Sequence, residues 1–185
     1  METILVVSSI LLWILTLFNI LLTIGLGRRI SARLPKIEFL KVGQTAPHFT
    51  AWKLDGKEMT LANYAGQAVT FVFISPHCRP CRDEIPNLEA LYPKAQKHGV
   101  ELALVSDAGW EETRAFANEL GVQLPLLVAP RERTSFLRDY KALSTPSYCV
   151  VNAKGKVQAA KMDLSELGRE IEKLSDTGER KVMSM

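Results

Sequence analysis

Cysteine is scarce in this chain, three residues in 185, which excludes a small scaffold held by many disulfides. Histidine is as rare, and His48, His77 and His98 show no ligand spacing. Structural zinc takes four ligands, commonly two C-x-x-C pairs or one pair with two histidines. Neither set is available, so no metal is expected, and nothing in the sequence calls for a cofactor. The net charge is only +3, with no basic stripe interleaved with aromatics, so nucleic acid is not an expected partner. Internal repeats and low-complexity segments are also missing, and the length suggests one domain plus an appendage.

Charge is missing altogether from Thr3 to Gly27, TILVVSSILLWILTLFNILLTIGLG. About 25 residues exceed the roughly 20 that a bilayer crossing needs. A cleaved signal peptide would want a basic start and a shorter apolar core, whereas this chain starts Met1-Glu2. Residues 1–27 are therefore expected to be a retained transmembrane anchor, with the lipid bilayer in contact with residues 3–27. Arg28, Arg29, Arg33, Lys36 and Lys41 follow at once. They mark residues 28–42 as a basic linker, interrupted by Pro35, of a kind that tends to stay in the cytoplasm.

A globular domain is expected over residues 43–174, and a loose polar tail over 175–185. Within the domain, strands and helices alternate. QAVTFVFI (Gln67 to Ile74) predicts a buried strand, and Cys78 to Lys97 a helix with Ile85, Leu88 and Leu91 at helical spacing. Further strands are predicted over 101–106, 124–128, 146–152 and 157–161, and further helices over 111–120, 135–140 and 165–173. Phe49 to Lys53 with Asp55-Gly56 suggests a small hairpin in front. That order predicts an α/β domain with a mixed sheet flanked by helices on both faces.

What the chain does have is Cys78-Arg79-Pro80-Cys81, where a strand ends and a helix begins. A C-x-x-C near a βαβ pattern points to dithiol redox chemistry. Free amide groups and the dipole at a helix N-terminus favour a thiolate, the attacking species in disulfide exchange. Cys78, nearer the helix start, is expected to be the nucleophile and Cys81, one turn in, the resolving thiol. Pro80 suits the first turn, where its missing N–H costs nothing. Half of a zinc site is the competing reading, and it lacks its other half.

These residues resemble the thioredoxin fold: strand, C-x-P-C, helix and a downstream Thr-Pro before a strand. HCRPCRDEIPNL (residues 77–88) and the opening VGQTAPHFTAWKLDGKEMTLANYAGQAVTFVFISP resemble membrane-anchored TlpA- and ResA-type thiol-disulfide oxidoreductases over residues 43 to about 172. Ser75-Pro76-His77-Cys78 and Val105-Ser106-Asp107 further resemble the MauD-like group, accessory factors in methylamine dehydrogenase maturation. The resemblance implies a cis Thr145-Pro146 bond facing the sulfurs and meeting the substrate chain. It implies protein substrates carrying cysteines or disulfides, a soluble or membrane redox partner that recycles the dithiol, and a domain outside the cytoplasm, against the indication of the basic flank. We expect the extracytoplasmic side, because an anchored dithiol has a task where disulfides persist.

The chain also departs from the thioredoxin pattern. His77 replaces the tryptophan before the first cysteine; it is a candidate contact to thiolate or substrate, or else an exposed loop residue. The buried acid of thioredoxin falls near Val72, which cannot carry a proton. Glu84 is then the nearest candidate base for Cys81, or else an acid favoured by the helix dipole. Arg79 and Pro80 tune the pair. A charge at a helix end, about 0.3–1 kcal/mol, shifts a two-electron couple by about 10–20 mV, too little to set the direction of electron flow within a family spanning about 150 mV. Cys149, on a predicted buried strand, is expected to be a core thiol. Two other function classes are a peroxiredoxin-type peroxidase and a non-catalytic adaptor. The first needs a proline seven residues before its cysteine, where Phe71 and Ile74 stand for Cys78 and Cys81. The second has no use for an intact C-x-x-C.

Overall fold

The structure, a computed structural model, describes residues 1–33 and 38–182. It divides into two compact units, Met1–Ile37 and Glu38–Met185.

In the first unit, α1 spans Glu2–Arg33, and Glu2–Gly27 is long and apolar enough to cross a membrane. Three of its hydroxyls bond back within the helix: Ser8 Oγ donates to the Leu5 carbonyl at 2.9 Å, Thr16 Oγ1 to that of Leu12 at 2.7 Å and Thr23 Oγ1 to that of Asn19 at 2.8 Å. Such back-bonding lets polar residues sit in an apolar helix. The helix runs beyond Gly27, so Arg28, Arg29 and Arg33 of the expected linker lie on helical backbone. Arginine is a good helix former, and no breaker precedes Pro35. Pro35 and Lys36 lie outside the described residues.

The second unit is built on one mixed sheet of β1 (Thr50–Lys53), β2 (Glu58–Thr60), β3 (Ala68–Ile74), β4 (Val100–Ser106), β5 (Leu126–Val128), β6 (Ser147–Val151) and β7 (Val157–Lys161). The spatial order is β2-β1-β5-β4-β3-β6-β7. β3 pairs parallel with β4 and antiparallel with β6, and β4 pairs parallel with β5. A central strand covered on both faces needs a near-continuous apolar run, and β3 buries Val69, Phe71, Val72, Phe73 and Ile74, with Thr70 as the one buried polar residue among them. The two faces of β3 feed two cores. Phe71 and Phe73 pack with Phe49, Phe136 and Tyr140; Val72 and Ile74 pack with Cys81, Ile85, Leu88 and Phe116. The expected front hairpin is present, and it joins the main sheet through Trp52↔Val128 and Lys53↔Leu127.

α2 (Arg79–Lys97) buries Cys81, Ile85, Leu88 and Ala95 along one stripe. It ends at His98, and Gly99 adopts φ 68°, a left-handed turn that glycine accepts without a Cβ penalty. Pro86 and Pro93 lie inside it on exposed positions, each removing one backbone hydrogen bond. α3 (Trp110–Leu120) and α5 (Leu167–Val182) pack on the same face of the sheet through Phe116, Leu167 and Ile171, while α4 (Phe136–Asp139) packs on the other. α5 corrects one expectation. Its backbone is helical to Val182, where a loose tail was expected from Ser175. Glu179, Arg180 and Lys181 are good helix formers, and residues 183–185 lie outside the described set.

Candidate functional site

The C-terminal ends of β3 and β4 lie side by side, with the Asp107 N–H donating to the Ile74 carbonyl at 3.2 Å. From β3 the chain turns through Ser75, Pro76 and His77, closed by the Cys78 N–H donating to the Ser75 carbonyl at 3.0 Å. Cys78 is the N-cap of α2. Its sulfur accepts from the Cys81 N–H at 3.3 Å, and its carbonyl accepts from Cys81 and Arg82. A side chain that caps a helix lies where free amide groups and the macrodipole favour negative charge.

Cys78 and Cys81 are joined as a disulfide, with Cα atoms 5.3 Å apart. Their surroundings differ. Cys78 is partly exposed, and Cys81 is fully buried at 0 %. The Thr145-Pro146 bond is cis, and the Thr145 carbonyl oxygen lies 3.4 Å from Cys78 Sγ. Residues 67 positions apart in sequence thus meet at the sulfur.

The other candidates are spread around this centre. Pro80 stands in the first turn of α2, and Arg79 beside it is exposed. Glu84 is half-buried and accepts from Asn87 Nδ2 at 3.0 Å; it lies beyond the first turn of α2, the turn in which the helix dipole would favour an acid. His77 is exposed. Its partner is Glu112, with Nε2 3.8 Å from Oε1, and neither sulfur. Val72 is fully buried in the same cluster as Cys81, so no acid stands at that strand position. Cys149 is a free buried thiol across the sheet from Phe71, and burial pushes it up to about 12.

Three features had no signal in the sequence. Tyr148 is buried at 1 % with a hydroxyl that lacks a hydrogen-bond partner, and burial raises it to about 12, so the phenol stays neutral. Arg131 and Arg133, both exposed, are engaged: Arg131 Nε pairs with Asp107 at 3.0 Å, and Arg133 lies over the Trp110 ring at 5.5 Å. A groove of about 680 Å³ opens beside the dithiol, with Pro80 and Glu84 on one side, Pro146 at one end and the turn around Asp163 opposite. Its two walls lie some 80 residues apart in the chain, so no local pattern announces it.

The arrangement places one accessible sulfur at a helix N-terminus, joined to one buried sulfur, beside a backbone carbonyl and an open groove. The family model described as AhpC/TSA matches residues 42–160. The thiol-disulfide oxidoreductase ResA of Geobacillus thermodenitrificans is 31% identical over 145 residues, covering 77% of this chain and 82% of that protein. ResA of Bacillus thuringiensis is 30% identical over 123 residues, covering 66% and 70%. A solved thiol:disulfide interchange protein from a Bacteroides species superposes with a TM-score of 0.66 at 24% identity, covering 74% of this chain and 91% of that one. That likeness speaks for the fold alone.

Proposed function

This chain belongs to the AhpC/TSA family and is a thiol-disulfide oxidoreductase of thioredoxin-like fold, and from that premise we propose that Cys78 attacks, Cys81 resolves, and the dithiol reduces disulfides in partner proteins outside the cytoplasm. The observation that carries the order is the exposure of the two sulfurs: only Cys78 is open to a partner. Its thiolate attacks a partner disulfide, forming a mixed disulfide and releasing one partner thiolate. Cys81 then attacks Cys78, closes the ring and releases the second partner thiol. Two electrons pass to the partner, and a separate redox protein, soluble or in the membrane, supplies two more that reduce the Cys78–Cys81 disulfide again.

Cys81 must lose its proton in a buried site. Glu84, three residues on along the same helix and facing the groove, is the base we assign to it. Thr145 and Pro146 offer backbone to an extended substrate chain beside Cys78. His77, exposed at the rim, is a partner contact, and Arg79 and Pro80 tune the first turn.

The reducing direction is supported by the likeness to ResA-type thiol-disulfide oxidoreductases. In the oxidised pair one backbone N–H donates to the Cys78 sulfur and the Thr145 carbonyl oxygen faces it. Ser75-Pro76-His77-Cys78 and Val105-Ser106-Asp107, neighbours at the ends of β3 and β4, support a narrower role in maturing an enzyme such as methylamine dehydrogenase.

The test is equilibration of the protein with glutathione. A potential more negative than about −200 mV is expected; a value near the −120 mV of a strong oxidant overturns the reducing direction.

A further inference from the structure

The groove beside the dithiol has a composition that the exchange chemistry does not require. Asp83 and Glu84 line it from α2, and Asp163 lines it from the turn after β7; no lysine or arginine is among its lining residues. Leu88, Leu91 and Leu167 give it an apolar floor. Among the described residues, none of the three carboxylates has an ion-pair partner. Asp163 accepts from the Ser165 N–H, and Glu84 from Asn87. Lys161 and Arg169 act on Asp163 electrostatically, but both are paired with acids of the following helix region: Lys161 with Glu166 and Glu170, and Arg169 with Glu166. Arg79, next to the dithiol in sequence, does not line the groove.

We propose that Asp83 and Asp163 are specificity-determining residues, and that the groove selects partner segments carrying a lysine or arginine within two residues of the reactive cysteine. This rests on the dithiol reading above and names the class of substrate. Position follows from helix geometry. Pro80 and Pro146 line the end of the groove nearest the sulfurs, and Leu91 lies eleven residues along α2 from Pro80. At 1.5 Å per helical residue that is about 16 Å, which an extended chain covers in about five residues. Asp83 is three residues from Pro80, about 4.5 Å, so it meets the first or second side chain beyond the cysteine. Apolar side chains further on meet the leucine floor.

The experiment uses the full-length chain in uncharged detergent micelles, reduced beforehand and freed of reductant. The probes are pentapeptides whose single cysteine carries glutathione in a mixed disulfide. They differ only in lysine, alanine or glutamate two residues after the cysteine. Reduction of each converts the Cys78–Cys81 dithiol to its disulfide and releases peptide thiol and glutathione. At low salt the lysine peptide is expected to react, in this single turnover, with a second-order rate constant roughly three- to fivefold above the glutamate peptide, the size exposed ion pairs allow. The ratio should shrink in about 1 M salt, where the Debye length falls to about 3 Å. D83N/D163N should bring it to within twofold of one, and asparagine keeps the capping acceptor at position 163. Equal rates for lysine and glutamate peptides in the unsubstituted protein, both being reduced, overturn the groove while leaving the dithiol reading intact. A preference that survives D83N/D163N also overturns it. Failure to reduce any peptide overturns the dithiol reading, and the groove with it.

Discussion

Cys78 and Cys81 are three positions apart, but only the first is open to a partner. We therefore expect Cys78→Ser to abolish disulfide exchange and Cys81→Ser to accumulate a mixed disulfide with partners, seen as a reducible adduct on non-reducing gels. Trapping by Cys78→Ser instead would reverse the assignment. Cys149 makes a different prediction. Its ordinary value is 9.0, and burial carries the folded thiol up to about 12. Between those values the unfolded thiol has lost a proton that the folded one keeps. Its contribution to stability is therefore complete below pH 9 and falls as pH rises toward 12, by about 1.4 kcal/mol per pH unit. Cys149→Ala should retain disulfide exchange and show a shallower loss of stability above pH 9, measured by denaturant unfolding at stepped pH. An identical slope would mean that the thiol already ionises in the folded state.

At the level of elements, α2 is held in place away from the sulfurs. Glu89 Oε1 accepts from the backbone N–H of Gln123 at 2.6 Å and of Leu124 at 3.2 Å, tying the middle of the helix to the entry of β5. Hydrogen bonds to a charged acceptor contribute about 1.5–3 kcal/mol where they are shielded. Glu89 is partly exposed, so we expect Glu89→Ala to cost about 1–2 kcal/mol in urea unfolding. The glutathione equilibrium should stay unchanged, because the first turn of α2 keeps its own contacts to Cys78. A shift in potential with little loss of stability would show that the tie acts on the dithiol.

On the scale of the whole molecule, the unit Glu38–Met185 carries both cores, the sheet and the dithiol. A protein lacking residues 1–37 is therefore expected to be water-soluble and folded, and to reduce small disulfides within about twofold of the full chain. The full chain should sediment with membranes and resist extraction by salt. Loss of folding on removing residues 1–37 would show that the core of the domain depends on them. A reporter fused after Met185 should be active only on the extracytoplasmic side; activity on the cytoplasmic side would give the basic flank the deciding role.

Some of this was determined by sequence alone, because the physics involved is local. An uncharged run long enough to cross a bilayer, a β-branched and aromatic strand, and a C-x-x-C opening a helix each state their meaning within about 25 residues. Hence α1, β3 and α2 were legible, and so was the proximity of the two sulfurs. The succession of strands and helices along the chain followed from alternation, but the order of strands in the sheet and the pairing of β1 with β5 did not, since an edge can be joined from either side. The tertiary structure decided what depends on distant residues meeting. It brought the Thr145 carbonyl to Cys78 and turned His77 toward Glu112. It also left the Tyr148 hydroxyl without a partner and set Asp163 across a groove from Asp83. Burial and long-range electrostatics are properties of packed neighbours, and no periodicity in the chain encodes which neighbours those are.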